Sequence, residues 1–572
     1  MKLLIKKIYI ILFLLTLSLV ECKVLAKDNK AQYSREDISN YFLGIISVNQ
    51  DRNKIAFDYL KKVKSLKNKH SKFNVEFLRT LILLEKFDEA LDFSKSVWNE
   101  EELFFEADLL LGLDYFIKRD YLNAEKYFIR LNKISRYNLI FENFIGNVLI
   151  SWSRAAQENK ESSFEFLERI PRPYRHLTKI QNSFLECYFD TSRTQRSFKE
   201  LIQDEDYDFS RYNFFLTNHL LFKDKIIEAK KIIDNSIEKN NSNLLIKQTE
   251  NFVLNNEYNK IKNFFNCNNP NDVIAEFFYV LANLYSSEKD YQMSNFYLKI
   301  SLLLNSNFIP NKILLAENYF YQKKFENSKK VYKSIKRIGP VYSWFASRSI
   351  AIILAASGNK KDSISYLEKQ FSKLSNLNFE HYYELANFYK DNEYYEESIK
   401  YYSLALENIK QGHRLIPKIL DRRGTSYERN GNWEKAENDL LKSLKLLPDQ
   451  PYVLNYLAYS WIEKKINIDE ALEMLKEAAR LKENDGYIID SLGWAYYARK
   501  NYIEAEKFLQ KAVELKPLDP IINDHYADSL WMLKKNIQAT YVWRRVLTLD
   551  NTEQETKEKI KKKLIFGITN NL

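Results

Sequence analysis

The chain has 572 residues with only 11 Gly and 10 Pro, about a third of the share these two residues hold in an ordinary soluble protein. So few turn-formers exclude a β-rich or loop-rich enzyme, while 45% hydrophobic and 15% aromatic residues exclude a disordered chain. The net charge of +11 is dispersed, apart from the leader and a tail carrying Lys557, Lys559, Lys561, Lys562 and Lys563, and lacks the concentrated basic footprint of a nucleic-acid binder.

Residues 1–26 read as a signal peptide. Lys2, Lys6 and Lys7 precede an apolar run from Ile8 to Val20, and Val24-Leu25-Ala26 supplies small residues for cleavage after Ala26. The run falls short of the about 20 residues that cross a bilayer. The expectation is an exported, periplasmic protein with at most peripheral membrane association. The alternative is membrane anchoring, through an uncleaved leader or a lipid on Cys22, although Glu21 stands where a lipidation site has a small residue. Cleavage leaves Cys187 and Cys267. Their separation of more than two structural repeats predicts two separate buried thiols, too far apart for the about 7 Å Cα limit of a disulfide.

From residue 27 onward one pattern recurs. A small residue in a first helix (Gly44, Gly112, Ala282, Ala316, Ala351, Ala386, Gly424, Ala458, Gly493, Ala527) is followed at most units twelve residues later by a second one (Ala56, Ala124, Ser294, Ser328, Ser363, Ser398, Ala436, Ala505, Ala539). Most intervals between first-helix markers are 34 or 35 residues, the signature of stacked helix pairs that cross closely at small side chains. Matches are moderate over 27–135, weak over 136–273, where Pro171-Arg172-Pro173 breaks a helix, and strong over 274–550. Residues 551–572 form a charged capping helix and tail. The fold expected is all-α: an α-solenoid superhelix of about 15 helix-turn-helix repeats, each burying its apolar face only against its neighbours.

No catalytic chemistry is legible. There is no glycine-rich phosphate loop, no His-Glu-x-x-His and no nucleophile elbow, and the six His are not spaced with Cys or one another as metal ligands. His525 beside Asp524 reads as a surface histidine in a solvated groove, because no nucleophile is spaced to meet it. The sequence predicts a protein that is not an enzyme and needs no cofactor or metal.

The unit Ile489-Asp490-Ser491-Leu492-Gly493-Trp494-Ala495-Tyr496, with Tyr502, Ala505, Leu509, Ala512 and Pro517, resembles the tetratricopeptide repeat. That resemblance implies that the second, fifth, ninth and twelfth positions of each first helix face a concave groove. Carried onto this chain, these include Tyr383 and Asn387; Asp421 and Thr425; Tyr452, Asn455 and Tyr459; Tyr487, Asp490, Trp494 and Tyr497; and Ile521, Asp524, Asp528 and Trp531. Aromatic anchors interleaved with Asn and Asp suit a polypeptide partner, and four aspartates predict an acidic groove for basic or neutral segments. The run from Asp490 to Trp494, the Pro517-Leu518-Asp519-Pro520 corner, Asn523-Asp524-His525 and Trp543-Arg544-Arg545 together are similar to long exported tetratricopeptide proteins of proteobacteria. Some of these are outer-membrane lipoproteins that act as adaptors for a periplasmic carboxyl-terminal processing protease in cell-wall remodelling. The function implied is a protein–protein scaffold or adaptor of the bacterial cell envelope, with that protease or a cell-wall enzyme as partner. The alternatives are a glycan- or lipid-binding envelope protein, or an enzyme with an unrecognised site.

Overall fold

The computed structural model describes residues 33–68, 70–134, 143–204, 206–239 and 243–568. The predicted signal peptide and Cys22 lie outside the described residues. Among these there are 31 α-helices and no strand, from α1 (Arg35–Asn49) to α31 (Gln554–Phe566). They succeed one another as fifteen helix pairs and a final single helix, so the chain is an all-α helical-repeat solenoid. No helix among the described residues is long and apolar enough to cross a membrane. A short 3₁₀ turn at Arg172–Tyr174 stands where the two prolines predicted a break.

The turns explain how so few glycines suffice. Between α27 (Gly486–Ala498) and α28 (Tyr502–Leu515), Lys500 takes a left-handed conformation at φ 61°. The following Asn501 caps α28, its side-chain oxygen accepting from the Glu504 N–H at 3.3 Å. Asp51, Glu85, Arg119, Lys289, Lys323, Glu393 and Lys534 stand in the same left-handed region, and glycine serves at Gly358 and Gly431. Glycine is used instead where helices cross. A Cβ on Gly493 would lie 2.6 Å from Leu509 Cγ, so the first helix can approach the second only without a side chain there. Ala505 across the contact is fully buried.

Two compact units divide at Ala346 and Ser347. In unit 1, α3 (Ser71–Leu83), α5 (Phe105–Ile117), α7 (Phe144–Ala156) and α9 (Arg175–Tyr188) are first helices. Later helices of the same unit pack back on three of them. α16 (Tyr291–Leu304) packs on α3, and α15 (Pro270–Ser287) packs on α7 and α9. Phe277 meets Phe144 edge-on at 5.5 Å, Lys299 pairs with Glu85, and the Gln322 amide donates to Asp51 at 2.9 Å. Two carboxylates caught inside have charged or hydroxyl partners: Arg79 Nε donates to Glu106 at 2.7 Å, and the Tyr212 hydroxyl donates to the fully buried Glu276 at 2.6 Å.

One expectation fails here. Cys187 and Cys267 are joined in a disulfide, with Cα atoms 6.0 Å apart. Counting repeats assumed a uniform stack, but the pair of α13 (Leu244–Leu254) and α14 (Tyr258–Lys262) is stunted, its second helix only 5 residues long. The chain after α14 returns across the unit. Asn218 in α11 (Tyr212–Phe222) donates to the Ile261 carbonyl at 3.1 Å, and Phe265 packs on Phe184 at 5.4 Å and Phe215 at 4.6 Å. This return carries Cys267 to the C-terminal end of α9.

Unit 2 is the regular stack. Its first helices are α21 (Phe379–Asp391), α23 (Ile416–Arg429), α25 (Pro451–Glu463), α27 and α29 (Pro520–Met532). Contacts of α21 with α23, α25 with α27 and α27 with α29 align these helices in one row. Cores form where each pair meets the next, around Leu440, Leu457, Trp461, Leu475 and Leu492, and again around Leu530, Trp543, Val546 and Ile560.

Candidate functional site

The row of first helices in unit 2 presents the predicted groove residues, and its C-terminal half holds their densest cluster. Asp490 on α27 is only 6% exposed. One repeat later, His525 on α29 places Nδ1 3.0 Å from both Asp490 carboxylate oxygens. Burial works against a charged imidazole. The charge and hydrogen bond of Asp490, with Asp524 and Asp528 beyond it, outweigh that and raise its pKa. Trp494 lies stacked between the His525 ring at 4.0 Å and Tyr497 at 4.5 Å, and its indole N–H donates to Glu463 at 2.9 Å. The result is a three-ring stack resting on a carboxylate–imidazole pair. His525 is therefore a buried histidine, 8% exposed, and not the solvated one the sequence suggested. Its partner is Asp490 across the helix row, because adjacent residues on a helix point in different directions.

Asp524 and Asp528 are occupied from within the chain. Lys563 of α31 contacts both carboxylates at 2.8–2.9 Å. The Trp543 indole donates to Asp528 at 3.1 Å. Burial and the Asp524 charge push the Asp528 carboxyl up to about 6 against the pull of Lys563. Trp531 lies against Trp543 at 5.4 Å and under the Gly567 backbone, so it packs on the last core and is not free to anchor a ligand. Of the four aspartates expected to make the groove acidic, Asp490, Asp524 and Asp528 thus have cationic or cation-ready partners inside the molecule. The terminal helix does more than cap: it closes the last groove position.

Toward α21 the row stays open. Asp421 makes no hydrogen bond or ion pair among the described residues, and burial raises its carboxyl pKa in spite of Arg422, Lys390 and Lys418. Thr425 turns its hydroxyl back to the Asp421 carbonyl at 3.0 Å. The Asn387 side-chain oxygen accepts from the Tyr402 hydroxyl and from Arg422, both at 2.7 Å, while Arg422 lies over the half-buried Tyr383 ring at 5.9 Å. The Asn455 side-chain oxygen is enclosed and has no partner. Tyr459 beside it is half-buried, its hydroxyl pKa raised by burial and then by Glu463 and Asp490. Tyr452 is 61% exposed, with its hydroxyl 3.3 Å from Asp485.

Outside this row, a cleft of about 1190 Å³ lies in unit 1 and is lined by Lys199, Asp204, Asp208, Lys231 and Asn235 among others. Asp204 there is paired with Lys179 at 2.6 Å. No nucleophile and base meet among the described lining residues.

Family models for the tetratricopeptide repeat match residues 380–411 and 488–519. The chain carries tetratricopeptide repeats. Over 168 residues it is 25% identical to the tetratricopeptide repeat-containing protein PA4667 of Pseudomonas aeruginosa, a match that covers 29% of this chain and 27% of that protein. The chain therefore spans about a quarter of that relative's length. Among solved structures, the Cut9–Hcn1 hetero-tetramer of APC/C is 14% identical, covering 93% of this chain and 97% of that one at a TM-score of 0.37. Yeast Tom70 is 16% identical, covering 80% and 94% at 0.35.

In tetratricopeptide terms, the structure brings together Asp490, Trp494, Tyr497 and Tyr459 as one cluster and leaves Tyr383, Asp421 and Tyr452 facing the open row, while the Asn455 side-chain oxygen is enclosed. It withdraws Asn387, Thr425, Asp524, Asp528 and Trp531 into internal contacts. Sequence reasoning missed His525, Glu463 and Lys563 as members of the site. A signal existed: His525 follows Asp490 by 35 residues and Lys563 follows Asp528 by 35, one period each. A basic residue about one period after an aspartate is thus set beside it by the stacking of successive helices.

Proposed function

We propose that this chain is a non-enzymatic adaptor of the bacterial cell envelope that binds an extended, basic or neutral polypeptide along the open row of unit 2. The observation that carries this reading is the line of Asp421, Tyr459 and the Trp494 stack on consecutive first helices, in which Asp421 has no internal partner. The Asp421 carboxylate can accept from a peptide's backbone amides or from its Lys and Arg side chains, and the rings supply rigid contact area. Export to an oxidising compartment is supported by the disulfide between Cys187 and Cys267 and by the leader. The resemblance to exported adaptors makes a periplasmic carboxyl-terminal processing protease the first partner to test.

Labelled extended peptides of basic, neutral and acidic composition, titrated against the full-length chain and an Asp421→Lys/Tyr459→Ala variant, test the binding mode. The basic and neutral peptides are expected to bind the parent and to lose about tenfold or more in affinity on the variant. Equal binding to both proteins would place the interaction elsewhere. Capture of the protease from envelope extract by the parent and not by the variant tests the partner separately.

A further inference from the structure

Cys187 lies in the last turn of α9, His219 lies on α11, and Cys267 lies in the loop leading into α15. All three are buried, at 1%, 7% and 6% exposure. The two sulfurs and His219 Nδ1 lie within 4.8 Å of one another, and Nδ1 stands 3.3 Å from Cys187 Sγ. A staple needs two sulfurs and nothing more, yet here an imidazole nitrogen is aimed at one of them from a third segment of the chain. We propose that, once the disulfide is reduced, Cys187, Cys267 and His219 bind a thiophilic d¹⁰ cation, Zn²⁺ foremost. The disulfide and the metal are then alternative occupants of one buried centre.

The geometry fits the ion. Tetrahedral Zn²⁺, with bonds of about 2.3 Å to sulfur and 2.0 Å to nitrogen, holds a sulfur and a nitrogen about 3.5 Å apart and two sulfurs about 3.8 Å apart. Nδ1 already stands within a few tenths of an ångström of that separation. The cysteine Cα atoms, 6.0 Å apart, let the sulfurs part by side-chain rotation without backbone movement. Charge fits as well: two thiolates and a neutral imidazole around a divalent ion sum to zero, which a pocket beside Phe184, Phe215 and Phe265 can accommodate. Asn268, which is exposed and has its side-chain oxygen 3.8 Å from Cys267 Sγ, marks the route to solvent and the side on which a fourth ligand, water or that oxygen, would sit.

The exchange balances as follows. A dithiol reductant gives two electrons and two protons to the S–S bond and becomes a disulfide itself, and Zn²⁺ then displaces the two thiol protons to solvent.

The test uses the full-length chain in a Cys22→Ser background, reduced anaerobically with a phosphine and titrated with Co²⁺ as a spectroscopic probe for Zn²⁺. One equivalent of Co²⁺ is expected to produce thiolate charge-transfer absorption and the visible bands of a tetrahedral site, both erased by Zn²⁺. The oxidised chain and Cys267→Ser are expected to give neither, and His219→Gln to weaken binding about tenfold or more. Circular dichroism runs in parallel, and helix lost on reduction but regained with Zn²⁺ supports the site as well. The proposal is overturned if the reduced chain shows no such bands, if His219→Gln leaves spectrum and affinity unchanged, or if lost helix is not restored by Zn²⁺.

Discussion

Asp490 and His525 stand one repeat apart yet behave as one group. Enclosure, with the Trp494 ring at 4.0 Å as a roof, works against a charged imidazole, yet the charge and hydrogen bond of Asp490 raise its pKa. The sign follows from linkage. A folded pKa above the unfolded value of about 6.5 contributes stability that is complete below that value and is lost as pH rises through the folded one. Asp528, with its carboxyl pushed up to about 6, acts in the same direction at lower pH. Stability of unit 2 is therefore expected to fall as pH rises above about 6.5, and His525→Gln should flatten that slope. At pH 6 the same variant should cost about 2 kcal/mol, the scale of a hydrogen bond to a charged group. Urea unfolding followed by tryptophan fluorescence at pH 6 and pH 8.5 measures both. An unchanged slope in the variant would assign the pH dependence to another group.

At the scale of elements, turns and the terminal helix carry separate consequences. Lys500 and Lys534 sit at φ 61° and 63°, a region that costs a side-chain-bearing residue about 1–2 kcal/mol and glycine almost none. Glycine loses part of that advantage through the entropy of the unfolded chain, so Lys500→Gly and Lys534→Gly should each stabilise by about 0.5–1 kcal/mol, read from denaturant midpoints. The terminal helix is different in kind. Lys563 satisfies two enclosed carboxylates, so Lys563→Met should destabilise by about 3 kcal/mol and at the same time open an anionic subsite for a cation. A basic peptide that binds the parent is then expected to bind this variant more tightly, and an equal or weaker affinity would show that the last repeat does not face the ligand. The regular pairs were legible in the sequence because Gly493, Ala505 and their equivalents must recur wherever helices cross this closely. Lys563 was not, because charge in a terminal helix reads as a solvated surface until the helix row fixes where each side chain points.

For the molecule as a whole, the difference between the two units follows from how far each keeps to the repeat. Unit 2 obeys nearest-neighbour stacking, so pattern alone placed its first helices, while side-chain pairing that no period records drew Asn387, Thr425, Asp524, Asp528 and Trp531 into internal contacts. In unit 1 later helices return onto earlier ones, as Phe277 on Phe144 and Lys299 on Glu85 show. Such long-range contacts leave no periodic trace, and this is why a disulfide across 80 residues of sequence was invisible to repeat counting. The same contacts make the disulfide consequential. Closing a loop of this length removes conformational freedom from the unfolded chain worth about 4–5 kcal/mol in the chain-entropy picture. The whole of that constraint acts on unit 1, since both cysteines and everything between them belong to it. Reduction in the presence of a metal chelator should therefore lower the calorimetric transition of unit 1 by several degrees and leave that of unit 2 in place. Assignment of the two transitions comes from His525→Gln, which should move only the second. A single transition that shifts as one would show instead that the two units unfold together, and an unshifted first transition that helix packing alone holds the stunted pair of α13 and α14 in position.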